Sequence, residues 1–297
     1  MKYVPFIGAG SALVTPMTRD DKVNYAEFAK MVDDQIKDGI DAVVVCGTTG
    51  EASTMYDEEH LSVIEECVKV VAHRVPVIAG TGSNYTAHAI ELSRAAEKLG
   101  VDGLLHVTPY YNKTSQRGLI NHFTMIAKSV DLPILLYNVP SRTGMTIQPE
   151  TYAELAKIPN IVGTKEASGN LEQIRRTVEL CGDELNLYSG NDDQIFDLLE
   201  MGAKGVISVL SDVLPKETSQ IVKTYLNGDK EQSRRMQEYY MPLIKALFSD
   251  VNPIPVKAAV NLMGYDAGEC RAPLFPMEEA KIAALADEMR KVGLRVC

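Results

Sequence analysis

Eight short apolar runs, separated by amphipathic stretches of helical period, most constrain what this chain can fold into. The runs cover residues 7–14, 42–46, 75–79, 103–107, 134–137, 161–165, 185–189 and 205–209. Each is rich in Val, Ile and Leu, which is typical of strands that are buried on both faces. The stretches between them are long enough for helical crossovers, so the pattern predicts a parallel sheet covered by helices.

The junctions between helix and strand recur in two forms, as a repeated βα unit requires. A glycine ends the helix in one form, and a proline begins the strand in the other. These junctions are Gly39, Gly100 and Gly202, and Pro76, Pro133 and Pro159. Eight such units predict an α/β fold, a single (β/α)8 TIM barrel, with an open doubly wound sheet as the alternative.

The C-terminal part of the chain has a different pattern. After residue 228 the strand pattern stops, and helical periodicity covers residues 230–248, 255–262 and 278–292. We therefore expect the barrel to occupy residues 1–226. Residues 227–297 are expected to form a helical appendage packed on the barrel.

The acidic balance of the chain excludes several classes of partner. Thirty Lys plus Arg face forty Asp plus Glu, a formal charge of −10, which argues against nucleic-acid or anionic-membrane binding. No apolar run reaches the roughly 18 residues of a membrane span. The five cysteines show no paired spacing, and Pro5 interrupts the N-terminal apolar stretch, so we expect a cytoplasmic protein that begins with a strand.

Polar residues follow the apolar runs, at the end of a barrel where catalytic groups collect. Lys165 ends the sixth run; by two-residue alternation it shares a face with Ile161 and Gly163, and Gly163 leaves room beneath it. Partial desolvation favours the neutral amine, a Schiff-base nucleophile. Tyr137 ends the neighbouring fifth run, where its phenol can shuttle protons. The alternatives are a lysine that snorkels at a strand end and a packing tyrosine.

Two further loops offer groups for a small carboxylate. Thr48 and Thr49 lie in a glycine-flanked turn whose hydroxyl and N–H groups can hold one, although such a turn also commonly precedes a helix. Arg142 can clamp a carboxylate with two hydrogen bonds, or form a surface ion pair. Dinucleotide, Walker, metal-ligand and serine-hydrolase patterns are missing, so we expect no metal and no cofactor.

Taken together, these motifs resemble the dihydrodipicolinate synthase family over essentially the whole chain. The matching segments are residues 47–51, 109–112, 137–144, 165–168, 189–192 and 252–257. The resemblance implies a class I aldolase-type condensation of pyruvate with L-aspartate 4-semialdehyde, in the diaminopimelate route of lysine biosynthesis. It also implies a homotetramer, and an imine that acts as electron sink in place of a cofactor.

The resemblance further implies catalytic roles for four residues. Lys165 forms the imine with pyruvate, and Tyr137 donates and accepts the proton. Thr48 and Tyr111 complete a proton relay, for which the family takes the tyrosine at the position of Tyr111 from a neighbouring subunit.

Four more residues are implied to bind the substrates. Thr49 holds the pyruvate carboxylate, aided by Ile207 and Gly190, and Arg142 binds the carboxylate of L-aspartate 4-semialdehyde. Two sister families, the N-acetylneuraminate and 2-keto-3-deoxysugar lyases, share the lysine and the tyrosine. They usually lack the Thr-Thr pair and the Ser-Arg-Thr-Gly loop, so such a lyase is one alternative and a barrel that only binds a keto acid is another.

One departure from the family concerns regulation. Lysine-inhibited relatives commonly carry His at the position of Asp57 and Glu at that of His88, in an effector pocket between subunits. The neighbouring His60, Asn84 and Tyr110 match. Altered charges change how a lysine ammonium and carboxylate are paired, so we expect weak or absent feedback by L-lysine.

Overall fold

The computed structural model describes residues 2–297, and eight parallel strands among them close into a barrel. The strands are β1 (Gly8–Ala12), β2 (Ala42–Val45), β3 (Val77–Gly80), β4 (Gly103–Val107), β5 (Ile134–Asn138), β6 (Ile161–Glu166), β7 (Asn186–Ser189) and β8 (Gly205–Ser208). Each strand pairs with the next in sequence, and β8 pairs with β1. The predicted TIM barrel is therefore confirmed, and the open sheet is wrong because no strand of this barrel has a free edge. Predicted strand ends differ from the observed ones by no more than two residues.

Twelve α-helices, counted over the same residues, surround and cap the barrel. They are α1 (Tyr25–Lys37), α2 (Asp57–Val71), α3 (Thr86–Leu99), α4 (Gln116–Ala127), α5 (Pro140–Thr143), α6 (Pro149–Leu155), α7 (Leu171–Cys181), α8 (Ile195–Glu200), α9 (Pro215–Leu226), α10 (Lys230–Leu247), α11 (Ile254–Leu262) and α12 (Glu279–Lys291). Local signals set their ends: the Asn24 side chain accepts a hydrogen bond from Glu27 N–H at the start of α1, and Gly100 ends α3 in the left-handed conformation. Within residues 2–297, no helix has both the length and the apolar character that crossing a membrane requires.

Two apolar layers stabilise the barrel. The outer layer packs outward-facing strand residues such as Val43 and Leu104 against helix residues such as Phe123, all almost completely buried. The inner layer fills the barrel itself and includes Tyr137 and Ile207. Full burial of a large apolar side chain contributes about 1.5–3 kcal/mol. Because the barrel interior is packed, bound molecules must be accommodated at its open end.

The C-terminal helices share a core with the barrel. Leu243 of α10 and Val260 of α11 are fully buried in one cluster with Val14, which follows β1, and Met31 of α1. Because of this packing, the segment that connects α10 to α11 lies at the carboxyl ends of the strands.

The register between β5 and β6 shifts by one residue near the start of the two strands. As a result Ile161 packs in the outer layer, whereas the adjacent Val162 packs in the inner layer. The prediction that Ile161 shares the face of Lys165 is therefore wrong, because an irregularity in pairing resets the two-residue alternation. Beyond the shift the pairing is regular, and Tyr137 is the register partner of Lys165.

Candidate active site

Lys165 and Tyr137 lie side by side in the barrel, at the carboxyl ends of β6 and β5. Their side chains are buried, with 6% and 7% of each residue exposed. The Lys165 Nζ atom lies 4.4 Å from the centroid of the Tyr137 ring. The predicted proximity of the two residues is confirmed, so an amine and a phenol can act on the same bound carbonyl group.

Room for the Lys165 side chain comes from Gly190. A Cβ at Gly190 would lie 3.0 Å from Lys165 Cγ and 2.8 Å from the Cβ of Ala167. The space beside Gly163 is already filled, because a Cβ there would lie 2.8 Å from Leu135 Cδ2. The prediction that Gly163 leaves room beneath the lysine is therefore wrong, since the side chain of the neighbouring strand occupies that space.

Asn252 connects two of the predicted carboxylate-binding residues. Its Nδ2 donates to Thr49 Oγ1 at 3.1 Å, and its main-chain oxygen accepts from the Arg142 guanidinium at 2.8 Å. Asn252 and Thr49 are both buried. Sequence reasoning did not single out Asn252, and its only signal was its place in the matching segment 252–257.

A buried ion pair holds the turn that carries Thr48 and Thr49. Glu51, at the end of that turn, forms a salt bridge with Lys257 of α11, and the two side chains are 1% and 2% exposed. The second carboxylate oxygen of Glu51 accepts from the Arg271 N–H at 2.8 Å. The turn is thus tied to the C-terminal helices, a pairing that no sequence pattern indicated.

A cavity of about 380 Å³ opens beside the carboxyl ends of β2 to β5. Thr48, Tyr137 and Arg142 line it, whereas the other predicted site residues do not. Lys165 lies next to one of the lining residues, Tyr137. The volume suits a small metabolite, since ligand pockets measure about 300–1,000 Å³. Among residues 2–297, no three His, Cys, Asp or Glu side chains come together as metal ligands would.

Tyr111 is the one predicted catalytic residue that lies away from the site of its own chain. Its side chain is 91% exposed, and its backbone is left-handed, with φ of 67°. Side-chain amides hold this loop: Asn84 Nδ2 donates to the Tyr110 carbonyl at 3.1 Å, and Asn112 Nδ2 donates to the Asn84 carbonyl at 2.9 Å. In the single chain the Tyr111 side chain therefore faces solvent, unlike the buried Lys165 and Tyr137.

Two buried acids, Asp192 and Asp212, interact electrostatically with Lys165. Burial raises the pKa of both carboxyl groups, and repulsion from Asp192 raises that of Asp212 further. Hydrogen bonds from main-chain N–H groups, and to a smaller degree the Lys165 charge, oppose the shift. Asp192 Oδ2 accepts from the Leu210 N–H at 2.8 Å, which holds the segment that follows β8. Ile207, the predicted pocket residue in β8, is 1% exposed in that wall.

The outer end of the cavity contains the residues that depart from the family pattern. His88 Nε2 lies 2.9 Å from Asp57 Oδ1, and His88 Nδ1 lies 3.1 Å from Ser83 Oγ. His60 lines the same region, and burial lowers the pKa of its imidazole. Both ring nitrogens of His88 are therefore engaged within the chain, and Asp57 already has an internal partner.

Comparisons with known proteins agree with this geometry. The model of the Dihydrodipicolinate synthetase family matches residues 5–292. A curated 4-hydroxy-tetrahydrodipicolinate synthase from Acetivibrio thermocellus is 52% identical over 294 residues, which cover 99% of this chain and 100% of the relative.

Solved structures give the same result. The chloride-inhibited dihydrodipicolinate synthase from Acinetobacter baumannii complexed with pyruvate is 41% identical, with a TM-score of 0.95 over 97% of this chain and 99% of that chain. The enzyme from Cyanidioschyzon merolae with lysine bound is 40% identical, with a TM-score of 0.96 over 98% and 100% of the two chains. The fold, the placement of Lys165 against Tyr137 and these relationships lead to one conclusion: the chain belongs to the dihydrodipicolinate synthetase family.

Proposed function

We propose that this chain condenses pyruvate with L-aspartate 4-semialdehyde to 4-hydroxy-tetrahydrodipicolinate, with Lys165 as the Schiff-base nucleophile. This is the reaction of a lyase in the diaminopimelate route of lysine biosynthesis, and the curated relative above is named for it. One observation carries the proposal: the buried Lys165 Nζ lies 4.4 Å from the centroid of the Tyr137 ring. A buried amine beside a phenol at the carboxyl end of a barrel suits imine chemistry with a keto acid.

The first half of the reaction forms the nucleophile. The Lys165 amine attacks the keto carbon of pyruvate, and the Tyr137 hydroxyl donates a proton to the carbinolamine oxygen, which leaves as water. The resulting protonated imine draws electrons from the methyl group, whose proton passes to Tyr137 and leaves an enamine. Thr48 lines the same cavity as Tyr137 and relays the proton. The imine is itself the electron sink, so the proposal needs no cofactor.

The second half forms the new carbon–carbon bond. The enamine carbon attacks the aldehyde carbon of L-aspartate 4-semialdehyde, and a proton from Tyr137 completes the new hydroxyl group. The amine of the semialdehyde then displaces Lys165 from the imine carbon as the ring closes. Lys165 is released as the free amine, ready for the next pyruvate.

Substrate carboxylates are held by local groups, because the chain carries a net charge of −10 and does not attract anions as a whole. We assign the pyruvate carboxylate to Thr49, in a pocket walled by Ile207 and Gly190. We assign the carboxylate of the semialdehyde to Arg142, which lines the cavity. Support comes from Asn252, which orients both Thr49 and Arg142.

Borohydride reduction in the presence of pyruvate tests this proposal. We expect a reduced pyruvate adduct on the peptide that contains Lys165, no adduct in Lys165→Ala, and an unchanged adduct in Lys113→Ala, a matched control at an exposed lysine. A folded protein that binds pyruvate without forming the adduct would be a keto-acid-binding barrel. An adduct together with cleavage of N-acetylneuraminate or a 2-keto-3-deoxysugar, and no condensation with the semialdehyde, would place the activity in a sister family.

We further propose that the chain works as a homotetramer in which a second copy supplies Tyr111. Support comes from exposed tyrosines on the loops at the cavity end of the barrel: Tyr111, Tyr56 and Tyr85 are 91%, 88% and 67% exposed. Such a concentration of exposed aromatic surface is typical of an interface. Mixing inactive Lys165→Ala with inactive Tyr111→Phe should restore activity, since a mixed pair contains one complete site. Sedimentation should give the mass of four chains, and mixed assemblies without activity would refute the role of Tyr111.

We also propose a cytoplasmic site of action. All five cysteines are free thiols, a state that a reducing compartment maintains. Fractionation of the native host should therefore recover the protein with cytoplasmic enzymes.

We infer that residues 227–297 are an appendage of the barrel and not a second catalytic domain. Support comes from the cluster that α10 and α11 share with Val14 and Met31, and from the contacts of Asn252 with the site. A chain cut after residue 226 should therefore lose stability, because it exposes the apolar surface that α10 and α11 cover. A fragment as stable as the whole chain would contradict this.

A further inference from the structure

Asn138 and Glu166 form a second pair behind Lys165 and Tyr137, on the outer face of the barrel wall. They are register partners one residue further along β5 and β6, and adjacent residues of a strand point to opposite faces. Asn138 Nδ2 donates to both carboxylate oxygens of Glu166, at 3.0 and 3.1 Å. Both residues are buried, with 0% and 3% exposed. A side-chain bridge thus joins the two strands at the level of the reacting pair.

The Glu166 carboxylate is surrounded by hydrogen-bond donors. Besides Asn138, the Ser168 N–H donates to Oε1 at 2.8 Å and the Tyr152 hydroxyl donates to Oε2 at 3.1 Å. Burial raises the pKa of Glu166, and these donors oppose the shift. None of the partners is a cation, and a buried carboxylate without one is costly to maintain. Stability alone is therefore a weak reason for a carboxylate at this position.

The same two residues also fix the main chain around the site. The Asn138 carbonyl accepts from the Ala167 N–H at 2.9 Å, and the Glu166 carbonyl accepts from the Gly190 N–H at 2.8 Å. Gly190 is the residue whose missing Cβ leaves room for Lys165. The residues that form the bridge therefore also anchor, through their carbonyls, the main chain next to the reacting groups and the wall against which the lysine lies.

We propose that Asn138 and Glu166 are positioning residues for the Schiff-base reaction. Their bridge holds Tyr137 and Lys165 at the separation that proton transfer to the carbinolamine requires. The inference rests on the proposed function and extends it to two residues on the face of the wall opposite the substrate. A misplacement of about 1 Å can reduce a rate by about 100-fold, so a disturbed bridge affects catalysis before it affects binding.

Two isosteric variants test the bridge. Glu166→Gln replaces one carboxylate oxygen, which accepts hydrogen bonds, by an NH₂ group that faces the donors around it. Asn138→Asp places a second carboxylate against that of Glu166. In each, kcat and the rate constant for borohydride-trappable imine formation should fall by about 10-fold to 100-fold, while the KM for pyruvate changes less than about threefold. The double variant Asn138→Asp, Glu166→Gln again places a donor opposite an acceptor, and it should recover most of the lost rate.

Thr146→Val is the matched control. Thr146 Oγ1 accepts from Asn138 Nδ2 at 3.0 Å, so this variant removes a hydrogen bond of Asn138 and leaves the bridge to Glu166 in place. It should retain nearly the whole kcat. If the isosteric variants do not fold, Tyr152→Phe removes one donor from Glu166 and should reduce kcat several-fold.

The possible results distinguish failure of the positioning role from failure of the proposed Schiff-base function. An unchanged kcat and imine-formation rate in folded Glu166→Gln or Tyr152→Phe would overturn the positioning role, as would a double variant no faster than the single ones. If the unaltered enzyme forms no pyruvate adduct at all, the proposed function fails instead.

Discussion

Replacing Lys257 by Met should strongly destabilise this protein. The Lys257 and Glu51 side chains are 2% and 1% exposed, so the substitution leaves the Glu51 carboxylate buried without its cation. Removing one partner of a buried ion pair costs about 3–5 kcal/mol. The remaining N–H donor, from Arg271 at 2.8 Å, places the expected loss toward the lower end of that range. For a chain of this size the midpoint of thermal unfolding should fall by roughly 6–20 °C.

The loss should also affect the site, because Glu51 lies two residues after Thr49. We expect a raised KM for pyruvate in Lys257→Met at temperatures where the variant is still folded. Thermal and urea unfolding should be measured at one fixed protein concentration, since assembly makes the midpoint depend on concentration.

A double variant provides the control. Glu51→Gln combined with Lys257→Met leaves no unpaired charge, so it should be more stable than Lys257→Met alone. A loss below about 1 kcal/mol, the size expected of an exposed pair, would refute the reasoning. A double variant no more stable than the single one would refute it as well.

Three further predictions concern the space around the Lys165 side chain, inhibition by free L-lysine and stability in acid. Gly190→Ala places a Cβ 3.0 Å from Lys165 Cγ and 2.8 Å from the Cβ of Ala167. It should lower kcat by about 10-fold to 100-fold and, because the pocket is overpacked, cost about 1–3 kcal/mol of stability; an unaltered kcat would contradict this. L-lysine should inhibit weakly, because His88 already pairs with Asp57 at 2.9 Å. The double variant Asp57→His, His88→Glu should be more sensitive to L-lysine in the same assay. Loss of activity of the unaltered enzyme in millimolar lysine would refute this. Burial lowers the pKa of His106 from 6.5 to about 3. The His106 imidazole therefore binds a proton more tightly in the unfolded chain than in the folded one. As a result, the free energy of unfolding should fall as pH drops below about 6.5. His106→Gln should flatten that part of the acid-unfolding curve, where one such group contributes at most about 1.4 kcal/mol per pH unit.

The barrel could be predicted from the sequence because its strands and helices carry local signals. The helical periodicity predicted over residues 230–248 and 255–262 matches α10 and α11 to within one residue at each end. The Asp229 side chain, which accepts from the Gln232 N–H, explains where α10 begins. The register shift between β5 and β6 carries no such signal, because it is a property of how two separate strands pair. The predicted orientation of the Ile161 side chain is wrong for that reason.

The site could be predicted only in part. Strand order alone brings Tyr137 beside Lys165, so their proximity follows from the barrel. The tie from Asn252 to Thr49 joins residues far apart in sequence, and no local pattern indicates which polar groups meet at such a distance. Glu51 was visible as the last residue of a turn, but its pairing with Lys257 became visible only in three dimensions.

The tether at Asn252 limits how this fold can be recombined. One residue outside the barrel contacts both Thr49, after β2, and Arg142, after β5. A chimera whose crossover falls between residues 226 and 252 inherits Asn252 from one parent and its two partners from the other. Crossovers that keep Asn252 with its two partners preserve these contacts as one inherited unit.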